Sequence, residues 1–180
     1  MLSVFQNVLR SFVAESLEKG YEMLLEADVM GWIFHILLTQ PSISPGEVHL
    51  STRVLHSTGF FDLVIGQIQT LEAGRPCIRP ELVVEAKIFP RIGFTDQQHR
   101  VHFEHILNDD LRKLGTLSRE IKLTELIVDG RGYLSGTYRD QNRLKYLINK
   151  RDEVAPSVHL FIIHRVEGRW KIAHEAPTEF

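Results

Sequence analysis

PELVVEAKIF, residues 80–89, sets an acid and a base inside a run whose other members are mostly apolar. Six of its ten residues are Leu, Val, Ile, Phe or Ala. So short and β-branched a run reads as a strand buried on both faces rather than a helix. Side chains alternate along a strand, so Leu82, Val84, Ala86 and Ile88 share one face and Val83, Glu85, Lys87 and Phe89 the other. Glu85 and Lys87 therefore lie among large apolar neighbours. Removing charge from water is costly, so the two must be at a wet strand end, paired, or bound to an ion.

Upstream, residues 3 to about 39 read as helix with a break at Gly20, ended by Gln40-Pro41 and Ser44-Pro45-Gly46. EVHLSTRVLH alternates as a half-buried strand near a sheet edge. After the turn Ser57-Thr58-Gly59, FFDLVIGQI forms a second strand with Phe60, Asp62 and Val64 on one face. The loop QTLEAGRPCIRP then leads into PELVVEAKIF, making three antiparallel strands the simplest arrangement. Downstream, Thr95 or Asp96 caps a helix to about Leu114 with Gly115 as its stop. TELIVDGRG follows as a strand, which favours a parallel crossover. A basic helix from Tyr138 to about Asp152 and a hairpin turning at Glu167-Gly168 complete the chain. The fold class is α/β, a mixed sheet with helices on its faces, in a single domain over 1–180.

Composition is that of a soluble globular protein, and no apolar stretch approaches the length of a membrane span. The first twenty residues read as an amphipathic helix without a secretory signal, and the lone Cys77 cannot form an internal disulfide. Both point to the cytoplasm. Net charge is −4 over residues 1–87, +4 over 88–151 and −2 over 152–180, which sets a basic block beside an acidic centre. That distribution suits a polyanion-binding enzyme holding a metal, and equally an ordinary scatter of solvated charge.

If the strands pair antiparallel, Asp62 and Glu85 lie side by side. Two adjacent carboxylates repel, and one takes up a proton unless a cation lies between them. A hard divalent ion, Mg²⁺ by preference, removes that conflict and keeps waters, one of which is a candidate nucleophile. Lys87, on the same face, can orient that water or stabilise charge on a phosphate oxygen. These are the demands of phosphodiester hydrolysis.

Asp62, followed by Glu85-Ala86-Lys87 at the end of an apolar strand, resembles the PD-(D/E)XK nuclease superfamily with its restriction-endonuclease-like α-β-β-β-α-β core. The resemblance spans roughly residues 22–130, leaving the last helix and hairpin as additions. It implies that Asp62 and Glu85 bind Mg²⁺ or Mn²⁺ and that Lys87 acts on the attacking water. It further implies an acid on the preceding helix, Glu26 or Asp28, with Glu26 in the metal set, and a glutamine after the lysine strand, Gln97 or Gln98. Gly-Phe-Phe precedes Asp62 where the superfamily name has proline. The partners implied are nucleic acid, DNA before RNA, and a second copy of the chain, with no membrane.

A second Glu-x-Lys, Glu120-Ile121-Lys122, is set aside because no apolar strand precedes it. Each chosen residue has a plainer reading: Glu85 and Lys87 as an exposed ion pair, Asp62 as a turn cap, Glu26 as the last member of a solvated stripe with Glu15, Glu18 and Glu22. His99, His102 and His105 span too wide an arc of helix to share one ion and read as a polar, partly exposed face. Arg139, Arg143, Lys145, Lys150 and Arg151 either contact phosphates or form a solvated face. The rival functions are a catalytically inactive adaptor on the same fold and an α+β interaction protein with merely superficial acids.

Overall fold

The computed structural model describes residues 1–21, 23–55, 57, 59–70, 76–90, 92–134 and 142–176. Glu22 of the acidic stripe, Thr58 of the predicted turn and Arg139 of the basic helix lie outside the described residues.

Six strands form one mixed sheet in sequence order: β1 (Val48–Arg53), β2 (Phe60–Thr70), β3 (Pro76–Phe89), β4 (Lys122–Asp129), β5 (Val158–Val166) and β6 (Arg169–Ala176). β1, β2 and β3 are an antiparallel meander, as expected, and β3, β4 and β5 run parallel through helical crossovers. β5 and β6 close a hairpin at Glu167-Gly168, whose φ values of +51° and +81° are those a right-twisting two-residue turn requires.

The helices are α1 (Leu2–Phe12), α2 (Glu26–Leu37), α3 (Asp96–His105), α4 (Leu111–Gly115) and α5 (Arg143–Val154). The leading helical region is broken as Gly20 suggested: α1 runs into a π-helical turn at Val13–Leu17, and Gly20 has φ +86°. α1 turns Leu2, Phe5, Val8, Leu9 and Phe12 inward at helical spacing. They join α2 and the Leu82, Val84, Ala86, Ile88 face of β3 in one core. On the opposite face Val83, Phe89, Leu123 and Ile127 pack beneath α3, α4 and α5. The alternation read from PELVVEAKIF is therefore the division between two cores. The α-β-β-β-α-β order with an added helix and hairpin is present.

Two elements differ from expectation. The described residues of QTLEAGRPCIRP, 69–70 and 76–80, are strand: Thr70 pairs with Pro76 and Gln69 with Cys77, so pairing extends beyond the expected strand ends. Pro76 opens its strand, and Pro80 lies at a register shift opposite Gly66, the places where a strand tolerates a missing N–H. A Cβ on Gly66 would lie 2.3 Å from the Arg79 carbonyl, so only glycine fits this bulge. The helix predicted to run to Leu114 is interrupted by a π-helical turn, Ile106–Asp110, which joins α3 to α4.

Candidate active site

β2 and β3 pair with Leu63 opposite Val84, and one step further brings Asp62 opposite Glu85. Asp62 accepts a hydrogen bond from the Ala86 N–H at 2.8 Å, which fixes its carboxylate against β3. Opposite it on β1, Ser51 has φ +46°, a strained value for a residue with a side chain, and the cross-strand ladder skips this step. Phe60, expected to flank Asp62 on the same face, is exposed beneath Arg53. Asp62 thus bonds the backbone of β3, and the Ser57 hydroxyl serves the turn instead, accepting from the Gly59 N–H.

Glu85 and Lys87 are 3 % and 9 % exposed, which removes the reading of an exposed ion pair. Both lie on the α3 side of the sheet. Lys87 Nζ is 3.3 Å from Glu26 Oε2, 3.4 Å from Asp110 Oδ2 and 3.2 Å from its neighbour's carbonyl, Ala86 O. Burial alone would disfavour the ammonium, but Asp110, Glu26, Glu125 and Asp62 outweigh it and raise its pKa. Lys87 is charged at any physiological pH.

Three residues that sequence reasoning passed over complete the cluster. Lys113 of α4 donates to Glu85 Oε1 and to the Phe60 carbonyl, with its ammonium 4.5 Å from the centre of the Phe61 ring. Asp110, 2 % exposed in the π-helical turn, also meets His105 Nδ1 at 3.1 Å. Glu125 of β4 is the ladder partner of Glu85, is fully buried, and neither of its oxygens has a hydrogen-bond partner among the described residues. Two of the three carried a signal. Asp110 and Glu125 are charges at apolar positions of an amphipathic helix and an apolar strand, the same anomaly that singled out Glu85.

Five carboxylates, Glu26, Asp62, Glu85, Asp110 and Glu125, thus surround two ammonium groups. That surplus of negative charge is relieved by protons in the metal-free chain. Burial, with help from Asp62, pushes the Glu85 carboxyl up to about 8, against the opposing pull of Lys113. Burial also raises Glu125 well above the ordinary carboxylate range, with Asp110 and Glu85 adding to it. A divalent cation would answer the same deficit, and the oxygen donors suit Mg²⁺ or Mn²⁺. The donors are not gathered in advance: among the described residues no three His, Cys, Asp or Glu side chains form a ready-made cage.

The other expected residues lie apart. Asp28 is exposed and accepts the Leu24 and Leu25 N–H groups at 3.0 and 2.9 Å, so it caps α2, while Glu26 at the start of that helix reaches Lys87. Gln98 forms a capping box with Thr95, accepting the Thr95 N–H at 2.8 Å. Gln97 is exposed. The histidines are not a common polar face. His99 is buried between Phe89, Phe94 and Tyr133, because aromatic residues from β3 and the loop after β4 close over this turn of α3. His102 Nδ1 lies 3.7 Å from Glu26, and His105 serves Asp110. Arg151 of the basic helix is buried too, donating to the Val158 carbonyl. Glu120 and Lys122 are exposed at the start of β4, outside the cluster.

No family model and no curated protein matches the chain. Among solved structures it is similar to SfsA of Pyrococcus furiosus in complex with Ca²⁺, at 13 % identity over 87 % of this chain and 67 % of that one. The TM-score of 0.35 is too low for this likeness to carry any argument. Among the described residues no helix is long and apolar enough to cross a membrane.

Proposed function

We propose that the protein is a metal-dependent hydrolase of phosphodiester bonds in nucleic acid, DNA in the first instance, of the PD-(D/E)XK type. The observation that carries this reading is the placement of Asp62 and Glu85 on adjacent strands, with a buried, charged Lys87 two residues beyond Glu85. Asp62 and Glu85 would hold Mg²⁺ or Mn²⁺, with Glu26 as the third acid at the rim. When bound, such an ion supplies Lewis acidity toward the phosphate and lowers the pKa of a coordinated water. Lys87 contributes a fixed positive charge for a phosphate oxygen, or a donor that orients the attacking water. Glu26 and Asp110 hold that ammonium in place, Asp110 from a buried position and Glu26 from the half-buried start of α2. The reading takes the protein to be cytoplasmic, with Cys77 as a free thiol.

The test is cleavage of plasmid DNA by the purified chain with Mg²⁺ or Mn²⁺. Lys87→Ala and Asp62→Asn should each lower the rate by ~100-fold or more while the circular dichroism spectrum is unchanged. Cleavage that persists in both variants would overturn the assignment.

A second reading rests on Lys113. Its ammonium already occupies Glu85 Oε1, as it would in an adaptor of the same fold that binds nucleic acid without cutting it. Calorimetry separates the two. Salt-sensitive DNA binding with no uptake of Mg²⁺ or Mn²⁺ at millimolar concentration belongs to the adaptor.

A further inference from the structure

On the other side of α3 from the carboxylates, a cavity of about 700 Å³ opens between α3, the π-helical turn that follows it, and α5. Its wall is built around Tyr133. Both oxygens of the buried Asp129 accept from the backbone that carries this residue, the Tyr133 and Leu134 N–H groups, each at 2.8 Å. One side of the Tyr133 ring stacks on Phe89 at 5.1 Å, and the Arg143 guanidinium lies 3.9 Å from its centre. Arg143 also donates to the Tyr133 carbonyl at 3.2 Å, which holds this planar cation at the cavity wall. A second aromatic ring, Tyr146, lines the same cavity and is 56 % exposed.

Charge in the cavity is uneven. Arg100 is neutralised by Glu104 at 2.9 Å, both being lining residues. Arg143 has no carboxylate partner among the described residues, and Lys150 is paired only with Glu153, which does not line the cavity. The lining therefore carries a local surplus of two positive charges beside exposed aromatic surface, together with the amides of Asn108 and Asn142. Aromatic faces select planar rings, the cations select phosphate, and amides offer a donor and an acceptor to a ring edge.

We propose that this cavity is a binding site for a nucleotide, its base against Tyr146 and its phosphate on Arg143 and Lys150. The same chemistry is presented by a free nucleotide and by one unit of a single strand. The inference extends the nucleic-acid reading above but uses none of its groups, since Asp62, Glu85, Lys87, Asp110 and Glu125 do not line the cavity.

The experiment is a titration of the ¹⁵N-labelled full chain, in EDTA and low salt, with dAMP in one arm and the tetranucleotide (dA)₄ in the other. Amide shifts are expected within residues 100–108 and 142–150. Tighter binding of (dA)₄ marks a strand as the source, and equal affinity marks a free nucleotide. Tyr146→Ala, at an exposed position that leaves the core intact, should weaken binding ~10-fold, and Arg143→Lys should weaken it while preserving charge. With two phosphate-binding cations the log–log salt slope for the strand should be about −1.4. No shifts in either arm, or undiminished binding by Tyr146→Ala, would overturn the proposal. Shifts confined to the neighbourhood of Asp62, Glu85 and Lys87 would overturn it too while leaving the hydrolase reading standing. Shifts in the cavity from a protein that never cuts DNA would do the reverse.

Discussion

Glu85 and Glu125 stand side by side in register on parallel strands, both sealed from water, and only Glu85 has a cation on its carboxylate. A buried acid with two unpartnered oxygens remains neutral because ionising it would cost far more than holding a proton. Glu125→Met, close in volume and apolar, is therefore expected to leave stability unchanged or raise it by ~1–2 kcal/mol. Guanidinium denaturation checks this, and a loss greater than that would mean that Glu125 makes bonds essential to the fold.

Lys87 and Asp110 form a buried ion pair, so removing Lys87 leaves the Asp110 charge, among the described residues, with His105 alone, and removing Asp110 leaves Lys87 with Glu26. Lys87→Met alone should cost ~3–5 kcal/mol, and adding Asp110→Asn should recover a substantial part of it. A double-mutant cycle on these two positions should give a coupling of ~1 kcal/mol or more. Additive losses would show the pair to be energetically independent.

The raised pKa of Glu85 fixes the sign of a pH dependence. Between the usual carboxylate range and about 8, the metal-free folded chain keeps a proton there that the unfolded chain has lost. This contribution to stability is complete below about 4.5 and disappears as pH rises through about 8. Thermal melts of wild type and Glu85→Gln in EDTA should therefore diverge, with the wild type losing ground to the variant from pH 5 to pH 9. Parallel curves would show that Glu85 titrates normally.

Lys113 and a divalent ion would contend for the same carboxylate oxygens. Removing Lys113 also raises Glu85, so once the proton that Glu85 releases on binding is allowed for, Lys113→Met should tighten Mn²⁺ binding measured by calorimetry, by ~3-fold or more. Weaker binding in the variant would mean that Lys113 organises the acids instead of occupying them.

How far the sequence reached depends on which contacts are local. The two faces of PELVVEAKIF, the meander and the parallel crossover follow from period-two alternation and element order, and each is present. The pairing of Asp62 with Glu85 followed from the meander. What escaped was set by long-range geometry. Asp28 and Gln98 satisfy the patterns of a helix acid and a helix glutamine, yet the same placement near a helix start also makes them caps, and capping uses both side chains. His99 looked solvated because nothing in α3 itself announces that Phe89 and Tyr133 close over it. Lys113 is a surface lysine by any helical wheel, and only the approach of α4 to the start of β2 brings it to Glu85.

The π-helical turn at Ile106–Asp110 has one surplus residue compared with a regular helix, and Asp110 and Lys113 both take their aim from it. Winding the same residues as ordinary α-helix would rotate all that follows by about 100°. Neither charge would be replaced, yet both would be redirected away from the sheet. The widened winding of this turn is therefore itself a constituent of the cluster, as much as the side chains it carries.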